Sequence, residues 1–343
     1  MPETPRKILV RAPNWVGDLV MASPALRALR AAHPKAEIAL EGNRHLAELG
    51  ACLPGVDVFH ADDPGSSPAW LSHTRRLRKQ GFDWAVLLPD SARAAIAPFL
   101  AAIPVRAGYA RDPARRALLT LRVAIPKEGG QRVAISMIDR YLRITRALGC
   151  PDQGDALELG VPTGAGESLA ARLRAAGVRE SEKLLVVTPG ASFGSSKLWP
   201  TGHFARACDT LHRRRGLRTV LAPGPGEQGI SAAVAAAMDA PALELAWPPS
   251  SLAELVALID RAELLLTNDT GPRQIAVARG RPVVVLMGPT DPRHTGHLLE
   301  RQRVLREDVA CSPCHHKTCP IDHRCMIRLG PERVVAAAEE LLG

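Results

Sequence analysis

Residues 264–287 read LLLTNDTGPRQIAVARGRPVVVLM. Leu264–Thr267 is an apolar run of strand length and Asn268–Pro272 is a polar turn. Arg273–Arg279 has helical spacing, and Pro282–Met287 is a second apolar run. Two short buried strands joined through a helix predict a parallel strand–helix–strand unit. The same pattern extends outward. Leu184–Thr188 (LLVVT) leads through a Gly/Ser/Pro loop to a helix from Thr201. Thr219–Ala222 leads through Pro223–Gly229 to the helix Ile230–Met238. Toward the N-terminus, Lys7–Arg11, Glu37–Leu40, Val56–His60, Trp84–Leu88 and Val105–Tyr109 read as strands. They alternate with helical segments at Asp18–Ala32, Ala69–Lys79 and Ser91–Ile103. Pro282–Met287 is the last clear strand. The expectation is an α/β protein of two doubly wound, Rossmann-like domains facing a cleft. The domains are placed at residues 1–160 and 161–343, with a linker in Pro151–Gly166 and the last helix packing back on the N-terminal domain.

The chain has 343 residues, 46% of them hydrophobic and 23% charged, which excludes disordered, fibrous and disulfide-stapled classes. No apolar stretch approaches the ~18 residues of a membrane span. Met1–Arg11 lacks the apolar core of a secretory signal, so a cytoplasmic location is expected, with reduced thiols. Aromatic residues are only 3%, too few for a nucleic-acid stacking platform. Residues 1–150 hold 22 Lys and Arg against 13 Asp and Glu, whereas the remainder is balanced at 22 against 22. The net charge of +9 therefore resides in the first half. That asymmetry suits an anionic partner there, or reflects an Arg-rich composition alone.

Three loops in the second half suit a diphosphate. Pro189–Pro200 (PGASFGSSKLWP) offers backbone N–H groups, the hydroxyl of Ser192 and the point charge of Lys197. Asp269-Thr270-Gly271 precedes a helix, whose free N–H groups and positive dipole end favour anions. Glu227 closes Pro-Gly-Pro-Gly, placed either to bond a ribose or to cap the next helix. In the first half, Asn14 and Asp18 follow strand one. Asp18 reads as a helix cap or as a general base facing a cleft. No Walker A or D-x-D sequence accompanies these loops.

Ala12–Arg30 (APNWVGDLVMASPALRALR), Pro189–Pro200, Thr267–Pro292 and Cys311–Met326 (CSPCHHKTCPIDHRCM) together resemble the ADP-heptose lipopolysaccharide heptosyltransferases. The resemblance covers nearly the whole chain, and its first and last segments are most similar to the type II enzymes. It implies a glycosyltransferase-B architecture, no cofactor and no metal in the reaction. It also implies an ADP-heptose donor on the C-terminal domain and a lipid-linked lipopolysaccharide core acceptor on the N-terminal one. Peripheral contact with the inner membrane follows, with no nucleic-acid partner. By this resemblance Asp18 is the catalytic base. Ser192, Lys197, Glu227, Asp269, Thr270, Gly271 and Gln274 fall at donor-binding positions. Many family members have His where this chain has Gln274, and Arg273 beside it is a candidate replacement charge. Asn14, Arg75, Arg76, Arg78, Arg115 and Arg116 are candidates for the acceptor surface.

Cys311, Cys314, Cys319 and Cys325 either form a plain reduced loop or hold zinc through four thiolates. The single C-x₂-C pair favours the plain loop. The remaining alternatives are a transferase with another donor or acceptor, a sugar-nucleotide epimerase on a similar scaffold, and a non-catalytic binder of anionic lipid or nucleic acid.

Overall fold

The computed structural model describes residues 4–61, 67–295 and 300–343. It divides into two compact units, one ending at Gly160 and one beginning at Val161. In the first, β1 (Lys7–Arg11), β2 (Glu37–Gly42), β3 (Val58–Ala61), β4 (Trp84–Leu87), β5 (Val105–Tyr109) and β6 (Leu121–Val123) form one parallel sheet. Its order is β3-β2-β1-β4-β5-β6. The connecting helices are α1 (Val16–Met21), α2 (Ser23–Ala32), α3 (Ala47–Gly50), α4 (Ser67–Gln80), α5 (Ala92–Leu100) and α6 (Pro113–Leu118). A small hairpin, β7 (Lys127–Glu128) and β8 (Gln131–Arg132), precedes α7 (Met137–Ala147).

The second unit repeats the plan. After α8 (Ala165–Ala175) come β9 (Leu184–Thr188), α9 (Thr201–Arg215), β10 (Arg218–Leu221), α10 (Gln228–Ala236), β11 (Leu243–Glu244) and α11 (Leu252–Arg261). There follow β12 (Leu264–Asn268), α12 (Gly271–Ala278), β13 (Val283–Leu286), β14 (Gln302–Leu305), α13 (Arg324–Ile327) and α14 (Pro331–Leu342). The sheet order is β11-β10-β9-β12-β13-β14, again parallel. Every residue of β9, β12 and β13 is buried, as helices on both faces require. Each such Leu or Val contributes roughly 1.5–3 kcal/mol relative to an exposed side chain. In each unit the strand order reverses direction beside the first strand, between β1 and β4 and between β9 and β12. Loops at the carboxyl ends of these pairs diverge and leave the crevice in which such sheets bind ligands.

Four expectations are corrected. The helix expected over Asp18–Ala32 is two helices. Pro24 has no N–H for the Val20 carbonyl, the Ser23 hydroxyl donates to it instead at 2.8 Å, and the chain restarts as α2. β14 lies beyond the last strand expected; its sequence QRVL carries only two apolar residues because it is an edge strand. The last helix, expected to return to the first unit, buries Val334, Val335, Ala337 and Ala338 in the second unit's own core. Arg115, expected on an acceptor surface, has no exposed area. Its guanidinium donates to the carbonyls of Tyr109 and Pro89, each at 2.7 Å, and to those of Ser91 and Leu87. It ties the carboxyl ends of β4 and β5 together, and a Cβ at Gly108 would lie 2.8 Å from it.

Arg115→Ala leaves several buried carbonyls without a donor, an expected loss of about 2–4 kcal/mol. Arg115→Lys should restore little of it, because an ammonium cannot reproduce the planar fork. Urea unfolding of the two variants beside the parent chain measures both; a loss under 1 kcal/mol in the Ala variant would contradict the clamp.

Candidate active site

At the carboxyl edge of the second sheet, one buried amide shapes the loop between β9 and α9. Asn268, the last residue of β12, donates to the Pro189 carbonyl at 2.7 Å and accepts from the Trp199 N–H at 3.3 Å. It therefore holds both ends of the 189–199 loop. Trp199 is itself buried, donates to the Leu329 carbonyl at 2.8 Å and meets Phe204 edge to face. Between these anchors a single turn, Ser195–Lys197, presents Lys197.

Lys197 is aimed by Asp269. Its ammonium donates to the Asp269 carbonyl at 2.6 Å and to the carboxylate at 3.2 Å, and lies 5.2 Å from the centre of the Phe193 ring. Asp269 also accepts from Arg273 at 2.9 Å and from the Thr290 hydroxyl at 2.7 Å. Burial alone raises its pKa, but Lys197, Arg273 and Thr290 outweigh burial and hold the carboxyl below its usual range. Both oxygens are thus engaged inside the protein, and Asp269 is a positioning residue for Lys197. Arg273 has no exposed area and is fixed by Asp269, Gln302 and Thr295, so it cannot supply the surface charge considered for it. Gln274 is likewise buried in the first turn of α12.

Thr270 occupies the N-cap position of α12, yet its side chain does not cap the helix; the hydroxyl turns to the Asn268 carbonyl at 3.3 Å. Of the first three residues of α12 only Gly271 keeps a backbone N–H for an anion, because Pro272 has none and the Arg273 N–H donates to the Thr270 carbonyl at 3.2 Å. Glu227 sits across the sheet's switch point. It stands at the N-cap of α10 without capping it, and its carboxylate accepts from the Gly224 N–H at 2.8 Å. A Cβ on Gly190 would come within 1.9 Å of that carboxylate, so only glycine lets the two loops meet. Burial pushes the Glu227 carboxyl up, against the Gly224 bond that lowers it. Ser192 is exposed on the same loop.

The segment 311–325 braces this loop from outside. The Ser196 N–H donates to the Lys317 carbonyl at 3.0 Å, the Ser196 hydroxyl to the His316 carbonyl at 2.5 Å, and His323 bonds the Ser196 carbonyl at 2.7 Å. Among the described residues no group of three or more His, Cys, Asp or Glu side chains is placed to hold a metal ion, so four-thiolate zinc at Cys311, Cys314, Cys319 and Cys325 is not carried further.

In the first unit, Asp18 lies in the first turn of α1 at the switch point beside β1, half-buried. The N-cap is Trp15 and no side chain caps the helix, so Asp18 is not the cap residue considered for it. Asn14 and Trp15 are exposed on the same loop, Trp15 by 56%. Two residues not singled out from the sequence adjoin this edge. Asp90, beyond β4, pairs with Arg140 of α7, and its Oδ1 is buried with no hydrogen-bond partner among the described residues. Arg140 stacks 4.3 Å over the Tyr109 ring. A lone Asp after a strand and one Arg among many gave no signal.

The arginine candidates separate. Arg75 and Arg116 are exposed. Arg78, in the last turn of α4, donates to Leu100, the last residue of α5; both helices end at the amino edge of the sheet, opposite the ligand side, because they run antiparallel to the strands. Arg76 belongs to a cluster around Glu41, a buried carboxylate near the end of β2 that also accepts from Arg11 and His73, all at 2.8–2.9 Å. Burial raises the Glu41 carboxyl, but His73, Arg11 and Arg76 together hold it down at about 2.

Two units with sheet order 3-2-1-4-5-6 and polar loops on the carboxyl edges define the glycosyltransferase-B class of fold. The sequence profile of glycosyltransferase family 9 (heptosyltransferase) matches residues 70–324, and the chain belongs to that family. It is 29% identical to lipopolysaccharide heptosyltransferase 2 of Salmonella typhimurium, with 98% of each chain covered. The structure of Escherichia coli ADP-heptose lipopolysaccharide heptosyltransferase II is similar at TM-score 0.81 and 28% identity, with 98% of each chain covered. A glycosyltransferase family 9 structure from Veillonella parvula shares the fold at TM-score 0.85 and 21% identity, over 100% of this chain and 98% of that one.

The Glu41 cluster gives a pH test. A carboxyl lowered from 4.5 to about 2 stabilises the fold fully above its unfolded value, by on the order of 3 kcal/mol, and that contribution is lost as pH falls from about 4.5 toward 2. Urea midpoints measured between pH 6 and pH 3 should fall more steeply for the parent chain than for Glu41→Gln. Parallel slopes would show that Glu41 is not held down by its cations.

Proposed function

We propose that the chain transfers a heptose from ADP-L-glycero-D-manno-heptose to the heptosyl-Kdo-lipid A inner core of lipopolysaccharide, as a type II heptosyltransferase. The observation that carries this reading is the pairing, at the switch point of the second sheet, of an Asp269-aimed Lys197 with the uncapped N-terminus of α12. A fixed cation and the Gly271 N–H at the positive end of a helix suit a diphosphate leaving group. Two of the relatives named above, by name lipopolysaccharide heptosyltransferases and in one case with ADP-heptose in the name, support that choice of donor and acceptor.

In this mechanism the acceptor hydroxyl attacks the anomeric carbon of the donor and the bond to the β-phosphate oxygen breaks. Asp18, half-buried at the corresponding edge of the first unit, takes the hydroxyl proton. Negative charge grows on ADP as it leaves, and Lys197 with the Gly271 N–H and the positive end of the α12 dipole compensates it. Glu227 and Ser192 are assigned to the nucleoside side of the donor. Gln274 keeps its position in the donor region through α12, and no metal takes part.

The acceptor carries sugar acids and phosphates. The basic excess of the first 150 residues, with Arg75, Arg76 and Arg116 on its surface and Asn14 and exposed Trp15 beside Asp18, supports acceptor binding there. The reading includes a cytoplasmic site of action with peripheral contact on the inner membrane. No helix among the described residues is long and apolar enough to cross a membrane.

Asp18→Asn separates proton removal from structure, because the amide is nearly isosteric and cannot act as a base. With ADP-heptose and a truncated lipopolysaccharide acceptor in EDTA, kcat should fall at least ~100-fold while calorimetric ADP affinity is unchanged. The acidic limb of the parent's rate profile should vanish in the variant. Near-normal turnover in Asp18→Asn would remove Asp18 as the base, and ADP binding that requires Mg²⁺ would remove the metal-free mechanism.

A further inference from the structure

Four thiols of the bracing segment face one pocket. Cys311, Cys314, Cys319 and Cys325 line it together with His323 and Arg324. Cys311 is exposed, Cys314 and Cys319 are half-buried, and Cys325 is buried. His323 and Arg324 share the pocket with these thiols, and Cys311 is the most accessible of the four. Arg324 shares its charge with Asp322, to which it bonds at 2.8 Å. Cys325 is the least suited to react, since burial and then its neighbouring thiols push it up.

The same segment is mechanically connected to the donor loop. The N–H groups of Cys314 and His315 both donate to the Pro289 carbonyl, at 3.0 and 2.9 Å, and the Ser312 hydroxyl donates to the Gly288 carbonyl at 2.6 Å. Immediately beyond, the His316 and Lys317 carbonyls receive the hydroxyl and N–H of Ser196, the neighbour of Lys197. Gly194 packs so closely that a Cβ there would lie 2.3 Å from the Lys317 carbonyl oxygen. The geometry of residues 311–317 is therefore transmitted to Lys197 through direct hydrogen bonds, and the same turn touches the strand end that leads to Thr290, the hydroxyl partner of Asp269.

We infer that Cys311 and Cys314 form a reversible dithiol–disulfide pair, oxidised by low-molecular-weight disulfides, whose closure displaces the Ser196–Lys197 turn and weakens donor binding. The Cys311 thiolate attacks one sulfur of the small disulfide, forming a mixed disulfide and releasing one thiolate. The Cys314 thiolate then attacks the Cys311 sulfur, forming the protein disulfide and releasing the second thiolate. Two electrons pass from the protein to the small disulfide, and the two protein thiol protons go to the released thiolates or to solvent. The two-residue spacing selects this pair, and the exposure of Cys311 makes it the first to react. In a reducing compartment such a disulfide is transient, as a sensor requires.

The inference rests on the donor site proposed above, so its test carries a readout that needs no nucleotide. The full chain is equilibrated with reduced or oxidised glutathione, its disulfides are mapped by mass spectrometry after alkylation, and two quantities are followed. These are ADP affinity by calorimetry and amide hydrogen exchange over Ser195–Leu198. The expected result is a Cys311–Cys314 disulfide, a roughly tenfold weaker ADP affinity and faster exchange in that turn, all reversed by dithiothreitol and all absent in Cys311→Ser. A failure of the reduced protein to bind ADP would count against the donor site, with the exchange readout still deciding the redox coupling. Thiols that stay reduced, a disulfide that leaves exchange unchanged, or the same changes in Cys311→Ser would overturn the inference.

Discussion

Asp269 is a carboxylate buried among three hydrogen-bond donors, and the carboxyl edge of the second sheet is arranged around its charge. An isolated buried carboxylate would take up a proton rather than remain ionised. Here Arg273, with no exposed area, meets one oxygen, while Lys197 and Thr290 meet the other. The consequence is directional. Arg273 is consumed as structure, tied further to Gln302 and Thr295, whereas Lys197 comes from a loop and keeps one of its three N–H directions for a ligand. Removing the carboxylate would leave a buried guanidinium without its counter-charge and a loop ammonium without an aim.

The loop that delivers Lys197 is held from two sides. Asn268 fixes its ends from within the sheet, and the segment around His316 and Lys317 grips Ser196 from outside. Loops at functional edges are usually the least restrained part of a domain. This one is restrained at nearly every polar atom near the lysine, which suits a site that must present charge without reorganising as the leaving group forms. The first unit solves a different problem. Its edge carries a half-buried carboxylate and exposed aromatic and polar side chains, while its structural arginine and its buried glutamate are neutralised within the protein.

Much of this was legible in the residues, for a physical reason. Strands buried on both faces must be continuous apolar runs, and KILVR, VRAGY and LLVVT coincide with β1, β5 and β9. Edge strands carry no such demand, so QRVL in β14 gave no signal. The break after Ala22 was visible only as Pro24, a residue equally at home in the first turn of a helix. Arg115 and Arg116 are adjacent on a six-residue helix, too short for periodicity to say which one turns inward. The same limit applies to Arg273 and Gln274. Asp269 and Lys197 lay in recognisable loops, but their mutual bond joins residues 72 positions apart and depends on β9 and β12 being neighbours. Asn268 and Glu41 act through partners that only the folded sheets bring near.

A double-mutant cycle reads the proposed coupling of Asp269 to ADP through Lys197. ADP affinity is measured by calorimetry for the parent chain, Lys197→Met, Asp269→Asn and the double variant, each verified as folded by thermal unfolding. The account predicts that either single change weakens ADP by a similar factor and that the second change adds little to the first. Losses that add in full, or an Asp269→Asn variant that binds ADP as well as the parent, would contradict it.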